Sequence, residues 1–153
     1  MDALPTNLLT DESGRHDRST CIAFVTDLQT EQALQEGLAD IIPGGIDVRT
    51  GGVQAAIAAL QKINTPRVLI VDVSGAEAPL SALEALSHVV EPYVCVLVVG
   101  DFTGQDFYRE VTRGVGAMEY LAKPLAHGAV AQHFGPLVLG RTKQGATALG
   151  GAA

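Results

Sequence analysis

Three uninterrupted apolar runs, Cys21-Ile22-Ala23-Phe24-Val25, Val68-Leu69-Ile70-Val71 and Val94-Cys95-Val96-Leu97-Val98-Val99, constrain the fold more than any other feature of this sequence. A strand apolar on both faces must be covered on both, which calls for a parallel sheet flanked by helices. Helical patterns fill the intervals. Leu34, Leu38 and Ile41 recur at i, i+4, i+7 behind Thr30, a candidate N-cap, and Pro43-Gly44-Gly45 ends that helix. Val53, Ile57 and Leu60 mark a second helix, closed by Thr65-Pro66. Pro79 opens a third, with Leu83, Leu86 and Val90 facing inward. A fourth, from about Gln105 to Arg113, carries Phe107 and Val111 on one side, and Gly114 and Gly116 bracket its end.

Two further strands, 46–50 and 117–121, are mixed in polarity, as edge strands are. A last helix over 126–139 is interrupted by Gly135-Pro136 and is expected to kink or stop there. Alternating strands and helices with central strands first, third and fourth fit a three-layer flavodoxin-like α/β fold. Its five-stranded parallel sheet has the order 2-1-3-4-5, with helices on both faces. In that order the third strand separates Cys21 from Cys95 and keeps them too far apart for a disulfide.

At 153 residues, 47% of them hydrophobic, the chain is sized for one domain with a packed core. Residues 20–140 are read as that domain, 1–19 as a flexible leader and 141–153 as a flexible tail. The net charge of −7, with Lys and Arg scattered, argues against a nucleic-acid partner. No apolar run is long enough to insert into a bilayer, and the polar N-terminus has no signal-peptide core, so the reading is cytoplasmic.

Parallel topology gathers the carboxyl ends of all strands at one rim. Asp27, Asp72 and Lys123 therefore converge there: two carboxylates and an ammonium, suited to a divalent cation and a phosphoryl group. An ordinary rim of solvated charges and caps is the alternative. At this point the sequence resembles the receiver domain of bacterial response regulators over about Cys21 to Leu139. The stretch Gly116-Ala117-Met118-Glu119-Tyr120-Leu121-Ala122-Lys123-Pro124-Leu125 is similar to the end of that family's domain, and Val68-Leu69-Ile70-Val71-Asp72 to its acceptor strand. The resemblance implies Asp72 as phospho-acceptor, Asp27 as part of the acidic pocket and Lys123 as phosphate contact. It implies Tyr120 as an aromatic whose rotamer tracks activation, and Mg2+ held, weakly, by Asp27 and Asp72.

Two departures stand out. Thr26 replaces one of the two adjacent acids of the family, and Gly100 stands where a Ser or Thr would contact the phosphoryl group. The loop after Asp72 also lacks the family's Met-Pro, and Asp101 is read as a cap for the following turn. The pattern is similar to the atypical receiver at the N-terminus of the CpaE/TadZ pilus-assembly proteins, which continue into an ATPase domain. Gly145-Ala146-Thr147-Ala148-Leu149-Gly150-Gly151 lacks the Gly-Lys-Ser/Thr of a nucleotide loop. The chain is thus either an excised domain or a stand-alone receiver.

Three functions remain open. The first is a non-enzymatic interaction module in Flp/Tad-type pilus assembly or polar localisation, homodimeric through the face of the fourth helix, fifth strand and fifth helix. The second is a phosphorylatable single-domain response regulator served by a histidine kinase. The third is a small flavodoxin-like enzyme or ligand binder. His16, His88, His127 and His133 have no metal-binding spacing. Of Phe107 and Tyr108, one ring is expected in the core and one at the surface.

Overall fold

The structure, a computed structural model, describes residues 20–126 and 128–142, so the expectations for 1–19 and 143–153 lie outside the described residues. Strands β1 (Cys21–Val25), β2 (Asp47–Thr50), β3 (Val68–Asp72), β4 (Cys95–Gly100) and β5 (Glu119–Ala122) form one parallel sheet in the order β2-β1-β3-β4-β5. β1 and β3 are buried at every position, whereas β2 and β5 are mostly half-buried edges. The polarity of each run thus placed it correctly in the sheet. No helix among the described residues is long and apolar enough to cross a membrane.

Successive strand residues feed two cores. On one face Ile22, Phe24, Leu69, Val71 and Val98 pack with α2 (Val53–Leu60), α3 (Pro79–Ser87) and Val111 of α4 (Gln105–Val115). On the other, Ala23, Ile70, Leu97 and Val99 meet α1 (Leu28–Gly37) and α5 (Val130–Thr142) through Leu34, Leu38, Phe134 and Val138. Helix α4 runs over Gln105–Arg109 and continues as a π-helical stretch, Glu110–Val115; it ends on Gly116 at φ +97°, in the left-handed region. Cys21 and Cys95 both pair with Val68, one strand on either side. Two strand spacings hold their Cα atoms roughly 9–10 Å apart, beyond the roughly 7 Å reach of a disulfide. Both thiols are free and buried.

Three local expectations are corrected. The N-cap of α1 is Asp27, in extended backbone at φ −148°, ψ 158°, and Thr30 is the residue whose amide it receives. Helix α1 closes at Gly37, and hydrogen-bonded turns rather than helix carry the chain on to Gly45. Gly135-Pro136 does not stop the last helix. A π-helical turn, Val130–Phe134, leads directly into Gly135–Thr142, which together make α5. The Gly135 amide reaches back to the Val130 carbonyl, and this wider turn just before Pro136 absorbs the hydrogen bond that proline cannot make.

Candidate functional site

The three charged residues expected at the rim do meet. Asp72 ends β3 with no exposed surface. Lys123 follows β5, its amide tied to the Gly100 carbonyl at 2.7 Å, which aims its side chain back across the strand ends. Its Nζ donates to Asp72 Oδ2 at 2.5 Å and to Asp27 Oδ2 at 2.6 Å, with Thr26 Oγ1 at 3.4 Å. One ammonium therefore clasps the ends of β1, β3 and β5 together.

The rest of the shell belongs to Asp72. Thr26 donates to Oδ2 twice, from its hydroxyl at 2.8 Å and its amide at 3.1 Å, and the Ser74 amide donates to Oδ1 at 2.9 Å. The neutral Thr26 hydroxyl is thus a donor to the Asp72 carboxylate. Asp27 is occupied as well: its Oδ1 receives the Thr30 amide at 2.7 Å and its Oδ2 the Thr30 hydroxyl at 3.1 Å. The residue that caps α1 is the same one that holds Lys123.

The electrostatics follow from this shell. Burial alone would push Asp72 up, but donors from Lys123, the Ser74 amide and Thr26 outweigh it and hold its carboxyl below the ordinary range. The Lys123 hydrogen bond likewise holds Asp27 down, with Thr30 assisting against partial burial. Burial pulls against the charge on Lys123, yet the two carboxylates overcome it and raise its pKa. All three groups are charged at neutral pH, and each is compensated within the cluster.

Magnesium asks for near-octahedral oxygen ligands at about 2.0–2.1 Å. Here the ammonium sits between the two carboxylates, and every carboxylate oxygen already accepts a hydrogen bond. As arranged, these residues do not fit a divalent cation.

Tyr120 points inward, nearly buried. Its hydroxyl donates to the Phe102 carbonyl at 2.6 Å, and Phe107 meets its ring edge-on at 5.2 Å. Burial, with the charges of Asp101 and Asp72, pushes the phenol up to about 12. Phe107 packs against the core while Tyr108 is exposed, as expected of that pair. Asp101 is exposed at the rim, and α4 begins from Gly104 without a side-chain cap.

The sequence reading missed several participants. The Ser74 amide and the Phe102 carbonyl are main-chain groups that leave no sequence signal. Glu119 is a junction: it accepts the Tyr108 hydroxyl, receives the Tyr120 amide at 3.0 Å and stands 4.0 Å from His133 Nδ1. An acid opening an edge strand directly before an aromatic could have flagged it.

No family model and no curated protein matches the sequence. Solved structures do. The pilus assembly protein CpaE from Caulobacter crescentus CB15 is 33% identical, with a TM-score of 0.69 over 78% of this chain and 99% of that one. A putative CpaE2 pilus assembly protein from Sinorhizobium meliloti 1021 is 21% identical, TM-score 0.67, over 75% and 96%. A response regulator from Thermotoga maritima is 19% identical, TM-score 0.61, over 78% and 98%.

Proposed function

The chain belongs to the CpaE family of pilus assembly proteins, and from that premise we propose that residues 20–140 form an atypical receiver, a non-enzymatic interaction and localisation module of Flp/Tad-type pilus assembly with little or no phosphorylation-driven switching. The observation that carries this reading is the closed shell of Asp72. A phospho-acceptor must present a carboxylate oxygen to an incoming phosphorus and share it with a cation. Here Oδ2 receives three donors, the side chain has no exposed surface, and an ammonium stands between the two acids. In this reading Lys123 serves the resting pocket as a permanent counter-charge, and the work of the module falls to its surface, on the cytoplasmic side of the membrane.

That surface is the face of α4, β5 and α5. A groove of about 580 Å³ runs along α4, lined by Gly104, Tyr108, Arg109, Arg113, Tyr120 and Ala122. Helix α4 alternates Asp106, Arg109, Glu110 and Arg113, so the patch carries both signs. A two-fold axis pairs a patch with itself, and a patch of mixed sign can then set each cation against an anion of the partner. Tyr108 and Met118 supply exposed apolar surface beside these charges. A homodimer through this face, with further pilus-assembly proteins as partners, follows from that chemistry.

A phosphorylatable receiver served by a histidine kinase is the second reading, favoured by the meeting of Asp27, Asp72 and Lys123 in one pocket. Incubation with acetyl phosphate and magnesium, followed by intact mass measurement, separates the two. The module reading expects no phosphoryl adduct. An adduct that disappears in Asp72→Asn establishes the second reading instead. Light scattering tests the surface: Arg109→Glu with Arg113→Glu should shift a dimer to monomer.

A further inference from the structure

Gly100 ends β4 and pairs with Ala122 of β5, at the point where the buried site meets the α4 groove. The space that a side chain would take there is already filled. A Cβ on Gly100 would stand 2.6 Å from Val73 Cγ2, 3.2 Å from the Tyr120 hydroxyl and 3.5 Å from the edge of its ring. Val73 has no exposed surface, and its amide is fixed by the Val99 carbonyl at 2.9 Å. A β-branched side chain in a close-packed core has no inexpensive alternative rotamer. Tyr120 is held from other sides as well, by the Phe102 carbonyl and by Phe107, whose ring stacks on Phe102 at 4.9 Å.

We infer that Gly100 is a positioning residue: by lacking a side chain it lets Val73 and Tyr120 close over the end of β4, and so fixes Tyr120 inward as a permanent wall of the α4 groove. The shape of the groove is then set by packing at the end of β4 and does not follow the state of Asp72. A Cβ at position 100 cannot stand 2.6 Å from Val73 Cγ2, and because that valine is stiff and buried the end of β4 must move off it; of the other neighbours the Tyr120 ring, already 3.2 Å away at its hydroxyl and bordering the open groove, is the one with room to leave. This deepens the docking reading given above and rests on it for its biological use. The position of the ring is measured with no partner present, so failure of the inference and failure of docking give different results.

The test is proton and carbon NMR of the whole chain with labelled tyrosine and phenylalanine. In the natural sequence the Tyr120 ring should give one set of signals with contacts to the Phe107 ring, unchanged by beryllofluoride and magnesium. In Gly100→Ala those contacts should be lost and the amides of residues 103–112 should shift, while those of β1 stay in place. Adding Val73→Ala, which removes the 2.6 Å encounter, should restore them. Retention of the Phe107 contacts in Gly100→Ala overturns the inference. So does a ring that averages between two positions in the natural chain, a result that stands even where Gly100→Ala fails to fold.

Discussion

Replacing Lys123 with Met removes the clasp while keeping most of the side chain's length and apolar stem. The two ion pairs it breaks are unequal. Asp27 is 43% exposed, so its pair lies in the surface class, worth at most about 1 kcal/mol. Asp72 has no exposed surface. Stripping one partner from a buried pair costs about 3–5 kcal/mol, because the remaining charge is left uncompensated. The value belongs at or just below the low end here, since Thr26 and the Ser74 amide keep donating to the carboxylate. The expected loss is therefore about 3 kcal/mol, or roughly 12 °C in Tm at about 4 °C per kcal/mol for a domain of this size. Urea unfolding followed by far-ultraviolet circular dichroism reads the loss as a lower midpoint with an unchanged slope. The loss should also shrink in acid, as pH falls through the lowered folded values of Asp27 and Asp72 and the natural protein itself gives up the pairs. A loss under about 1 kcal/mol at pH 7 would place Lys123 among ordinary surface charges and refute the clasp.

Further expectations concern the same residues and the core. Thr26→Asp places a second carboxylate against Asp72, so it should destabilise the protein in a chelating buffer and recover part of the loss with magnesium, as read by Tm; the natural protein should show no such response. Asp27 and Asp72 have lowered pKa values when folded, so their contribution is present above about pH 4 and is lost as pH falls through the folded values; Lys123 has a raised one, so its contribution is present below about pH 10.4 and is lost as pH rises through its higher folded value. Stability against pH should accordingly show a plateau between these limits, and Asp72→Asn should flatten the acid limb. Burial pushes the Cys21 thiol up to about 12, and Cys95 is raised as well, so both should react with a thiol reagent only after unfolding, and oxidant should yield no disulfide within the folded chain.

The parts of this molecule legible in the sequence are those that repeat or that topology dictates. Fully apolar strands could only be central, and parallel strands could only deliver Asp27, Asp72 and Lys123 to the same rim. What escaped was the choice between neighbours of similar chemistry. Asp27 and Thr30 are both good N-caps three residues apart, and only the extended backbone at Asp27 decides between them. Pro136 reads as a helix kink or stop until the preceding turn widens to accommodate it. Thr26 and Gly100 were recognised as departures, but sequence describes each only by what it lacks. In the folded protein each has a positive feature: a hydroxyl that donates to Asp72, and a space that Val73 and Tyr120 fill.

The most direct test of the central claim, that the Asp72 carboxylate is closed by its own lysine, is an amide NMR titration of the natural chain with beryllofluoride and magnesium. The signals of Thr26, Asp72, Ser74 and Lys123 should stay in place up to millimolar additions. Saturable shifts centred on those four residues, abolished by Asp72→Asn, would contradict it and make the pocket a working phosphate switch.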